Sequence, residues 1–273
     1  MATVVVTHGG GAHRDEFLAC AMLTLKYPDI HIIRTDDPSK IAAADIVVDV
    51  GGVYDPQRKR YDHHHDISRP CSLIMVLQHE YFITQYPLSV RFLDHADRFG
   101  IESARTKYNV ATAPNLIENA VLNSFTEENE ITSGTPTAAL LKYIARGIHD
   151  EIMEYYEAAT IVWTDIGNEA SDYMRYTTPD GVVLITRDNI RTDLLIQIFG
   201  EAGEKIIGLI KPNPRGGGFS IISINNNPAF RPTNVASFPE IFTHKTGFMR
   251  VIDASWEDIK RSKYRLLTEV LTN

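Results

Sequence analysis

The chain of 273 residues is 44% hydrophobic and 23% charged, which is typical of a globular protein and argues against disorder. Its formal net charge is −8, and no stretch contains the ~20 uncharged apolar residues that a membrane span requires. The N-terminal sequence MATVVVTHGGG lacks the basic region and the long apolar block of a signal peptide. Since the chain has two cysteines, Cys20 and Cys71, we expect a reducing, cytoplasmic location rather than a disulfide scaffold.

The first hundred residues alternate between strand and helix patterns. Strands are predicted for TVVVTH, HIIRT and IVVDVGG, and a helix is predicted for DEFLACAMLTLKY, which follows the first strand. This order predicts an α/β fold whose N-terminal domain has a parallel sheet with crossover helices. Functional residues of such sheets gather at the carboxyl ends of the strands.

The rest of the chain divides into a helical part and a strand-rich part. Residues from Ser72 to Glu169 are predicted to be mostly helical, with a helix start at Thr135–Pro136. Turn formers and polar residues at Gly167–Gly181 predict a linker, and we expect two domains, 1–170 and 178–273. The second, smaller domain is predicted to be mixed α/β, with strands VVLIT, KIIGLI and FSIISI and helices RTDLLIQIFG and SWEDIKRSKYRLLTEVLTN. The loop PNPRGGG is either a mobile loop that senses substrate or a hairpin turn, and we favour the turn.

The glycine-rich segment THGGGAHRDE has the composition of a metal site. His8, His13 and Asp15 lie on a predicted strand-to-helix loop, and imidazole and carboxylate groups together suit divalent cations such as Mn, Zn or Fe. The segment lacks the lysine–serine ending of a phosphate-binding P-loop and the spacing of a dinucleotide fingerprint. A nucleotide cofactor is therefore not expected.

Two further groups of histidine and aspartate follow along the chain. Asp49 ends an apolar strand, where a carboxylate is costly unless it is paired, binds a cation or caps the next turn. In RYDHHHD, adjacent histidines of an extended segment point to opposite sides, so we expect one ligand, one phosphate-facing histidine and one bystander. In FLDHADRFG, Asp94 and Asp97 share a helix face, and either residue can complete the site.

This set of side chains is typical of metal-assisted hydrolysis. Two cations about 3.5–4 Å apart can share a bridging water, lower its pKa to give hydroxide, and neutralise charge on a phosphoryl group. A carboxylate that bridges both cations must sit centrally, and Asp49 is the expected one.

The motifs resemble those of the DHH phosphoesterase superfamily, named for the triplet Asp62-His63-His64. They are similar in particular to the melanocyte-proliferating-gene family of metal-dependent hydrolases, whose eukaryotic members are described as 3′–5′ RNA exonucleases. The resemblance is carried by THGGGAHRDEFLA, ADIVVDVGGVYD and RYDHHHD in this order, and more weakly by FTHKTGF near the C-terminus. It implies a DHH-type N-terminal catalytic domain and a C-terminal substrate-binding domain.

The resemblance also implies a role for individual residues. It makes His8 and His13 ligands of one metal, Asp15 and His63 ligands of the other, and Asp49 the bridging carboxylate. His64 is expected to contact the scissile phosphate, and Asp49, Asp62 and His64 form the implied catalytic group. Asp97 is preferred over Asp94 as the last ligand. The implied phosphate contacts of the C-terminal domain are Arg215, Gly216, Gly217, Gly218 and His244.

The leading hypothesis is a two-metal phosphodiesterase, a 3′–5′ exonuclease or oligonucleotide hydrolase that acts on RNA or DNA ends. Manganese is the expected cation, with magnesium, zinc or iron as alternatives, and a homo-oligomer is possible. Six basic residues against one acidic residue in Lys205–Arg250 favour a polymer substrate, whereas the overall acidity favours a small one. The alternatives are a small-molecule phosphatase or pyrophosphatase, and a non-catalytic, metal-stabilised nucleic-acid-binding protein.

Overall fold

The computed structural model describes residues 2–108, 116–165 and 172–272, without the side chains of 116–119 and 161–165. It divides into two compact units, residues 1–154 and 155–273, which are described separately. Within the described residues, no helix combines the length and the apolar character needed to cross a membrane.

The first unit is built on a six-stranded sheet in the order β4-β5-β3-β1-β2-β6. The strands are β1 (Thr3–Thr7), β2 (Ile30–Arg34), β3 (Ile46–Val48), β4 (Tyr54–Asp55), β5 (Arg60–Tyr61) and β6 (Glu130–Thr132). The four central strands are parallel, and three of them, β1, β2 and β3, were predicted. The outer strands β4 and β6 run antiparallel to their neighbours, so the sheet that was predicted to be parallel is a mixed sheet with a parallel centre. The reason at β4 is the short connection to β5, which can join only antiparallel strands.

The central strands are buried on both faces, which explains their continuous apolar sequence. On one face, Val5 and Val48 pack in the main core with Phe17 of α1 (Arg14–Lys26). On the other face, Val6 and Val47 pack in a smaller cluster beside α2 (Pro38–Ala43).

The helical part of the first unit is largely as predicted. Its helices are α3 (Ser72–Tyr81), α4 (Leu88–Phe99), α5 (Ile101–Tyr108), α6 (Leu116–Glu127) and α7 (Pro136–Asp165), whose residues from Tyr155 onwards belong to the second unit. The predicted start of the last helix is confirmed, since Pro136 is its first residue. The short strand β6 interrupts this part of the chain and was not predicted.

The second unit has a mixed six-stranded sheet in the order β11-β12-β10-β9-β8-β7. Its elements are β7 (Tyr173–Thr178), β8 (Gly181–Thr186), α8 (Thr192–Glu201), β9 (Ile206–Pro212), β10 (Phe219–Ser223), β11 (Glu240–Thr243), β12 (Met249–Ile252) and α9 (Trp256–Val270). Strands β8 and β9, which α8 connects, are parallel, and the other pairs are antiparallel. Residues 213–218 join β9 to β10 as a hairpin turn, which confirms the favoured reading of PNPRGGG.

The predicted linker Gly167–Gly181 differs from the structure where it is described. Residues 167–171 lie outside the described residues, but Tyr173–Thr178 forms strand β7 and pairs with β8. The turn formers at Pro179 and Asp180 therefore close a hairpin rather than mark a linker. The predicted domains 1–170 and 178–273 stay a prediction.

Candidate metal centre

The predicted histidine and aspartate clusters come together at one edge of the first sheet. His8 follows β1, Asp49 follows β3, and His63 lies two residues after β5. These three strands are parallel neighbours, so their carboxyl ends meet. Helix α1 adds Asp15 from its first turn, and α4 adds Asp97 from its last turn.

The two ring nitrogens of His8 face different groups. Its Nδ1 lies 2.7 Å from the carbonyl oxygen of Gly9. Its Nε2 contacts Glu16 Oε2 and lies 3.7 Å from Asp49 Oδ2. Together with His13, whose ring centroid is 5.1 Å from that of His8, these residues offer four ligand atoms within 4.8 Å of one another.

A second set of contacts surrounds His63. Its Nε2 lies 3.1 Å from Asp49 Oδ1, 3.2 Å from Asp97 Oδ2 and 3.7 Å from Asp15 Oδ2. The two oxygens of Asp49 therefore face different histidines, Oδ2 towards His8 and Oδ1 towards His63. Asp49 lies between the two groups, which is the location that a bridging carboxylate requires.

The backbone at Asp49 is held in an unusual conformation. Its φ is +61°, in the left-handed region that aspartate and asparagine tolerate better than most residues. Its amide donates to the Tyr61 carbonyl over 2.9 Å. The Ser72 hydroxyl, at the start of α3, donates to Asp49 Oδ1 over 2.7 Å, and the Ser72 amide donates to Asp15 Oδ2 over 3.3 Å. The sequence analysis missed Ser72, since nothing in the local sequence places it against two distant carboxylates.

The site gathers more negative than positive charge in a buried place. Burial, with the nearby charges of Asp49 and Asp97, raises the pKa of Asp15 well above its ordinary value. Burial also raises the pKa of Asp97, and Asp49 adds to that shift. Burial opposes ionisation of Asp49 too, but His63, Ser72 and the charge of His64 together lower its pKa.

The pKa of His63 is also raised, but for a histidine this shift favours the charged form rather than the neutral one. Burial lowers the pKa of His63, but its contact with Asp49 and the charges of Asp49, Asp97 and Asp15 outweigh burial and raise the pKa to about 9. The carboxylates around it therefore stabilise a positive charge at this point, which a metal cation supplies more strongly than a proton.

Several lone-pair atoms at this edge are buried and make no hydrogen bond. They are His8 Nε2, Asp15 Oδ1, Glu16 Oε2, Asp49 Oδ2 and His63 Nε2. A buried polar atom without a partner costs about 1–3 kcal/mol, and more when it is charged. These atoms are distributed over three overlapping groups of ligand atoms, so two bound cations would satisfy them, and mixed histidine and carboxylate donors suit divalent transition metals. The residues present therefore fit the expected metal.

Asp94 has a different role from Asp97. Its Oδ1 accepts from the Cys71 amide over 2.8 Å, at the start of α3, and from Arg98 Nε over 3.1 Å. Its Oδ2 accepts from Arg98 Nη2. Both oxygens are thus occupied, and Asp94 lies outside the three groups of metal-competent ligand atoms found among the described residues.

Asp62 and His64 form a pair, and His64 also belongs to one of the three ligand groups, together with Asp49 and His63. Asp62 Oδ2 accepts from the Gly52 amide over 2.7 Å, and Oδ1 lies 2.9 Å from both the amide and the Nδ1 of His64. A carboxylate can only accept, so Nδ1 of His64 carries the hydrogen and its Nε2 is left for another partner. The His64 side chain is 53% exposed, whereas Asp62 is buried. His65 is exposed and outside the ligand groups of the described chain.

Glu16 and Arg34 also belong to this site and were missed. Glu16 contacts His8, and both side chains of the Glu16–Arg34 pair are fully buried. Burial, with the charges of Asp49 and Asp15, raises the pKa of Glu16 to about 9 against the lowering effect of Arg34. Two sequence features could have indicated these residues. They are the adjacent acidic residues at the start of α1 and the charged residue at the end of the apolar strand β2.

The predicted phosphate contacts of the second unit are not brought together. Arg215 and Gly216–Gly218 lie in the turn between β9 and β10, next to the Phe219 end of β10. His244 begins the turn between β11 and β12, whose Met249 pairs with Ile222 near the other end of β10. These turns lie at opposite ends of β10, about 13 Å apart along the strand at 3.3 Å per residue.

The basic segment of this unit is partly used in internal contacts. Lys211 is buried, which lowers the pKa of its ammonium group, and it donates to the Ile190 carbonyl over 2.7 Å. Arg250 Nη2 lies 3.0 Å from Glu240 Oε2. The positive charge expected to face the solvent is therefore smaller than the residue count suggests.

The N-terminal segment resembles known proteins. Residues 4–69 match the model MYG1_exonuc, described as "Uncharacterised protein family (UPF0160)". Proteins named MYG1 exonuclease are 65% identical in Bos taurus and 63% in Homo sapiens, over 60 residues that cover 21% of this chain and 16% of each relative. A protein named MYG1 protein from Chlamydia trachomatis is 47% identical over 62 residues, 22% of each chain. The matches thus span well under a quarter of the relatives' length.

The matched segment contains most of the metal-competent residues. His8, His13, Asp15, Asp49 and the triplet Asp62–His64 lie within residues 4–69, whereas Asp97 lies beyond them. A crystal structure of an uncharacterized protein from Helicobacter pylori G27 aligns with 98% of this chain and 100% of that chain at 13% identity. Its TM-score of 0.28 is too low to support a shared fold.

Proposed function

We propose that this protein is a metal-dependent phosphodiesterase of the DHH type, which removes nucleotides from an RNA or DNA end, in the 3′–5′ direction, or hydrolyses short oligonucleotides. The observation that carries the proposal is the position of Asp49, which lies 3.7 Å from His8 and 3.1 Å from His63 through different oxygens. The names of the relatives that share residues 4–69 support nuclease chemistry.

In this proposal the chain's own side chains hold two divalent cations, with manganese the first choice. His8, His13 and Asp49 hold one cation, and Asp15, Asp49, His63 and Asp97 hold the other. Bound there, two such ions would lower the pKa of a water and neutralise charge on a phosphoryl group. Ser72 keeps Asp49 oriented between the two sites through its 2.7 Å hydrogen bond.

His64 is the proposed contact to the scissile phosphate. Because its Nδ1–H donates to Asp62, the imidazole is fixed with Nε2 on its opposite side, and the side chain is 53% exposed. A protonated Nε2 can donate to a phosphate oxygen. Asp62 acts by orienting His64, since both of its oxygens are already occupied.

The remaining parts of the proposal concern the substrate and the location. Either the Arg215–Gly218 turn or the His244 turn contacts a phosphate remote from the cleaved bond. The reaction takes place in a reducing compartment, the cytoplasm, which is consistent with free, buried thiols at Cys20 and Cys71.

A substrate panel with manganese tests this function. RNA, DNA, short oligonucleotides, pyrophosphate and mononucleotides are incubated with the full chain, and product lengths are resolved. We expect stepwise release of nucleotides that stops when a chelator is added and that is lost in His63→Ala. The matched control is His65→Ala, which removes an exposed neighbouring histidine and should keep the activity.

The other outcomes separate the alternatives. Hydrolysis of pyrophosphate or mononucleotides alone would identify a small-molecule phosphatase. Metal binding with no hydrolysis of any substrate would identify a non-catalytic protein. For a polymer substrate, affinity should also fall steeply with salt, because several phosphate contacts release counterions.

A further inference from the structure

We infer that Glu16 is a direct ligand of the cation held by His8, and that the buried Arg34 is the positioning residue that orients Glu16. The inference deepens the proposed function and rests on it. It adds a carboxylate to the expected ligand set and explains why an arginine is buried beside a cation site.

The hydrogen bonding of His8 shows on which side of the ring Glu16 lies. A carboxylate that supports a metal-bound histidine from behind accepts the N–H of the nitrogen that does not bind the metal. In His8 that place is taken, since Nδ1 is 2.7 Å from the Gly9 carbonyl oxygen, which can only accept. Glu16 instead contacts Nε2, the nitrogen that retains a lone pair in the neutral ring and that also faces Asp49. Glu16 therefore lies on the metal side of His8.

The two oxygens of Glu16 have separate surroundings. Oε1 lies 3.3 Å from Arg34 Nη2, whereas Oε2 contacts His8 and is buried without a hydrogen bond. Two lone-pair atoms, His8 Nε2 and Glu16 Oε2, thus face each other in a buried place. Such a contact is favourable when a cation or a proton lies between them, and Asp49 and His13 offer further ligand atoms within 4.8 Å.

Arg34 is held by contacts that leave it little freedom. Its Nη2 donates to the Gly10 carbonyl over 2.9 Å, inside the glycine loop that joins His8 to His13. Its Nη1 donates to the carbonyls of Phe125 and Thr126 over 3.2 and 2.8 Å, and its guanidinium lies 4.9 Å from the Phe125 ring centroid. Arg34 therefore fixes the loop and Glu16 at the same time.

The charges of the site agree with this role. Four carboxylates would balance the four positive charges of two divalent cations, and the positive charge of Arg34 is offset by the buried Asp62 carboxylate beside His64. The four are Asp15, Glu16, Asp49 and Asp97.

Manganese titration of the full chain, by calorimetry and by metal analysis after dialysis, tests the inference. The variants are Glu16→Gln, Arg34→Met and the double variant, and Glu80→Gln is the control because it changes a buried glutamate outside the ligand groups of the described residues. We expect two manganese ions per wild-type chain. Glu16→Gln should lose the ion held by His8, or bind it at least about 100-fold more weakly, and retain the other. Arg34→Met should bind the ion held by His8 about 10–100-fold more weakly.

The double variant distinguishes whether Glu16 is a metal ligand or only the ion-pair partner of Arg34. When both partners of a buried pair are replaced, the folding penalty of leaving one charge alone is removed. If Glu16 serves only to neutralise Arg34, the double variant recovers wild-type manganese binding, and the inference is wrong. If Glu16 is a ligand, the double variant folds, as circular dichroism will show, and still does not bind the cation held by His8. Unchanged binding in Glu16→Gln also overturns the inference, whereas failure of the wild-type chain to bind manganese overturns the proposed function with it.

Discussion

Two aspartates three residues apart on α4 should respond in opposite ways to the same substitution. Asp94 accepts from Arg98 and from the Cys71 amide, whereas Asp97 lies 3.2 Å from His63 Nε2. Asp94→Asn removes the charge from a carboxylate that joins α4 to the start of α3. Asp97→Asn removes one of several like charges from the candidate metal centre.

The magnitudes follow from these contacts. A hydrogen bond to a charged group contributes about 1.5–3 kcal/mol, so Asp94→Asn should lower the free energy of unfolding by about 2 kcal/mol. At roughly 2–4 °C per kcal/mol for a chain of this size, Tm should fall by about 4–8 °C. Asp97→Asn should leave Tm unchanged or raise it in metal-free buffer, because burial and Asp49 already oppose ionisation of Asp97 and raise its pKa.

Manganese should reverse the order of the Tm values of the two variants. At a concentration of about 100 times Kd, each of the two ions stabilises the folded state by ~2.7 kcal/mol, so the wild-type protein and Asp94→Asn should both gain about 11–22 °C in Tm. Asp97→Asn should lose about half of this gain, because Asp97 would hold one of the two ions. The assay is thermal unfolding followed by circular dichroism, with chelator and with manganese. A manganese gain that survives in Asp97→Asn but vanishes in Asp94→Asn would refute the assignment of these residues.

Three further substitutions test neighbouring parts of the account. Ser72→Ala removes the hydroxyl that donates to Asp49, and we expect manganese affinity to fall about 10-fold or more. Calorimetry measures this affinity, and the control is Ser68→Ala, which removes a hydroxyl that contacts Asp66 in a loop. His64→Asn should lower kcat strongly while both ions stay bound, and simultaneous loss of metal would contradict its role as a phosphate contact. Glu80→Gln should destabilise the protein by about 1.5–3 kcal/mol at pH 7. Burial opposes ionisation of Glu80, but hydrogen bonds from lysine and tyrosine side chains lower its pKa below 4.5. The contribution of Glu80 to the free energy of unfolding is therefore present above pH 4.5 and is lost as pH falls through the pKa of the folded state. Denaturant unfolding at pH 7 and pH 3 should therefore show a smaller difference between wild type and variant at the lower pH.

Much of the sheet edge was predictable because its pattern is local. The apolar runs that end at His8 and Asp49 correspond to β1 and β3, and parallel strands bring such ends together. The choice between Asp94 and Asp97 was not predictable from helical spacing alone. It depends on Arg98 and on the Cys71 amide, which occupy Asp94 once the chain is folded.

The missed residues share a physical reason. Ser72 and Arg34 act on carboxylates that are 23 and 18 residues away in the chain, and no short motif relates them. Glu16 had a visible position next to Asp15, but its contact with His8 depends on how the glycine loop folds. The short strands β4, β5 and β6 were missed because two or three residues do not show an alternating pattern.

The central claim is that Asp49 lies between two cations. Electron paramagnetic resonance of the full chain with two equivalents of manganese tests it, in comparison with Asp49→Asn, since asparagine tolerates the φ of +61° that alanine would not. We predict a magnetically coupled manganese pair in the wild-type protein and isolated or unbound manganese in the variant. A wild-type spectrum of isolated ions, or a coupled pair that persists in Asp49→Asn, would contradict the claim.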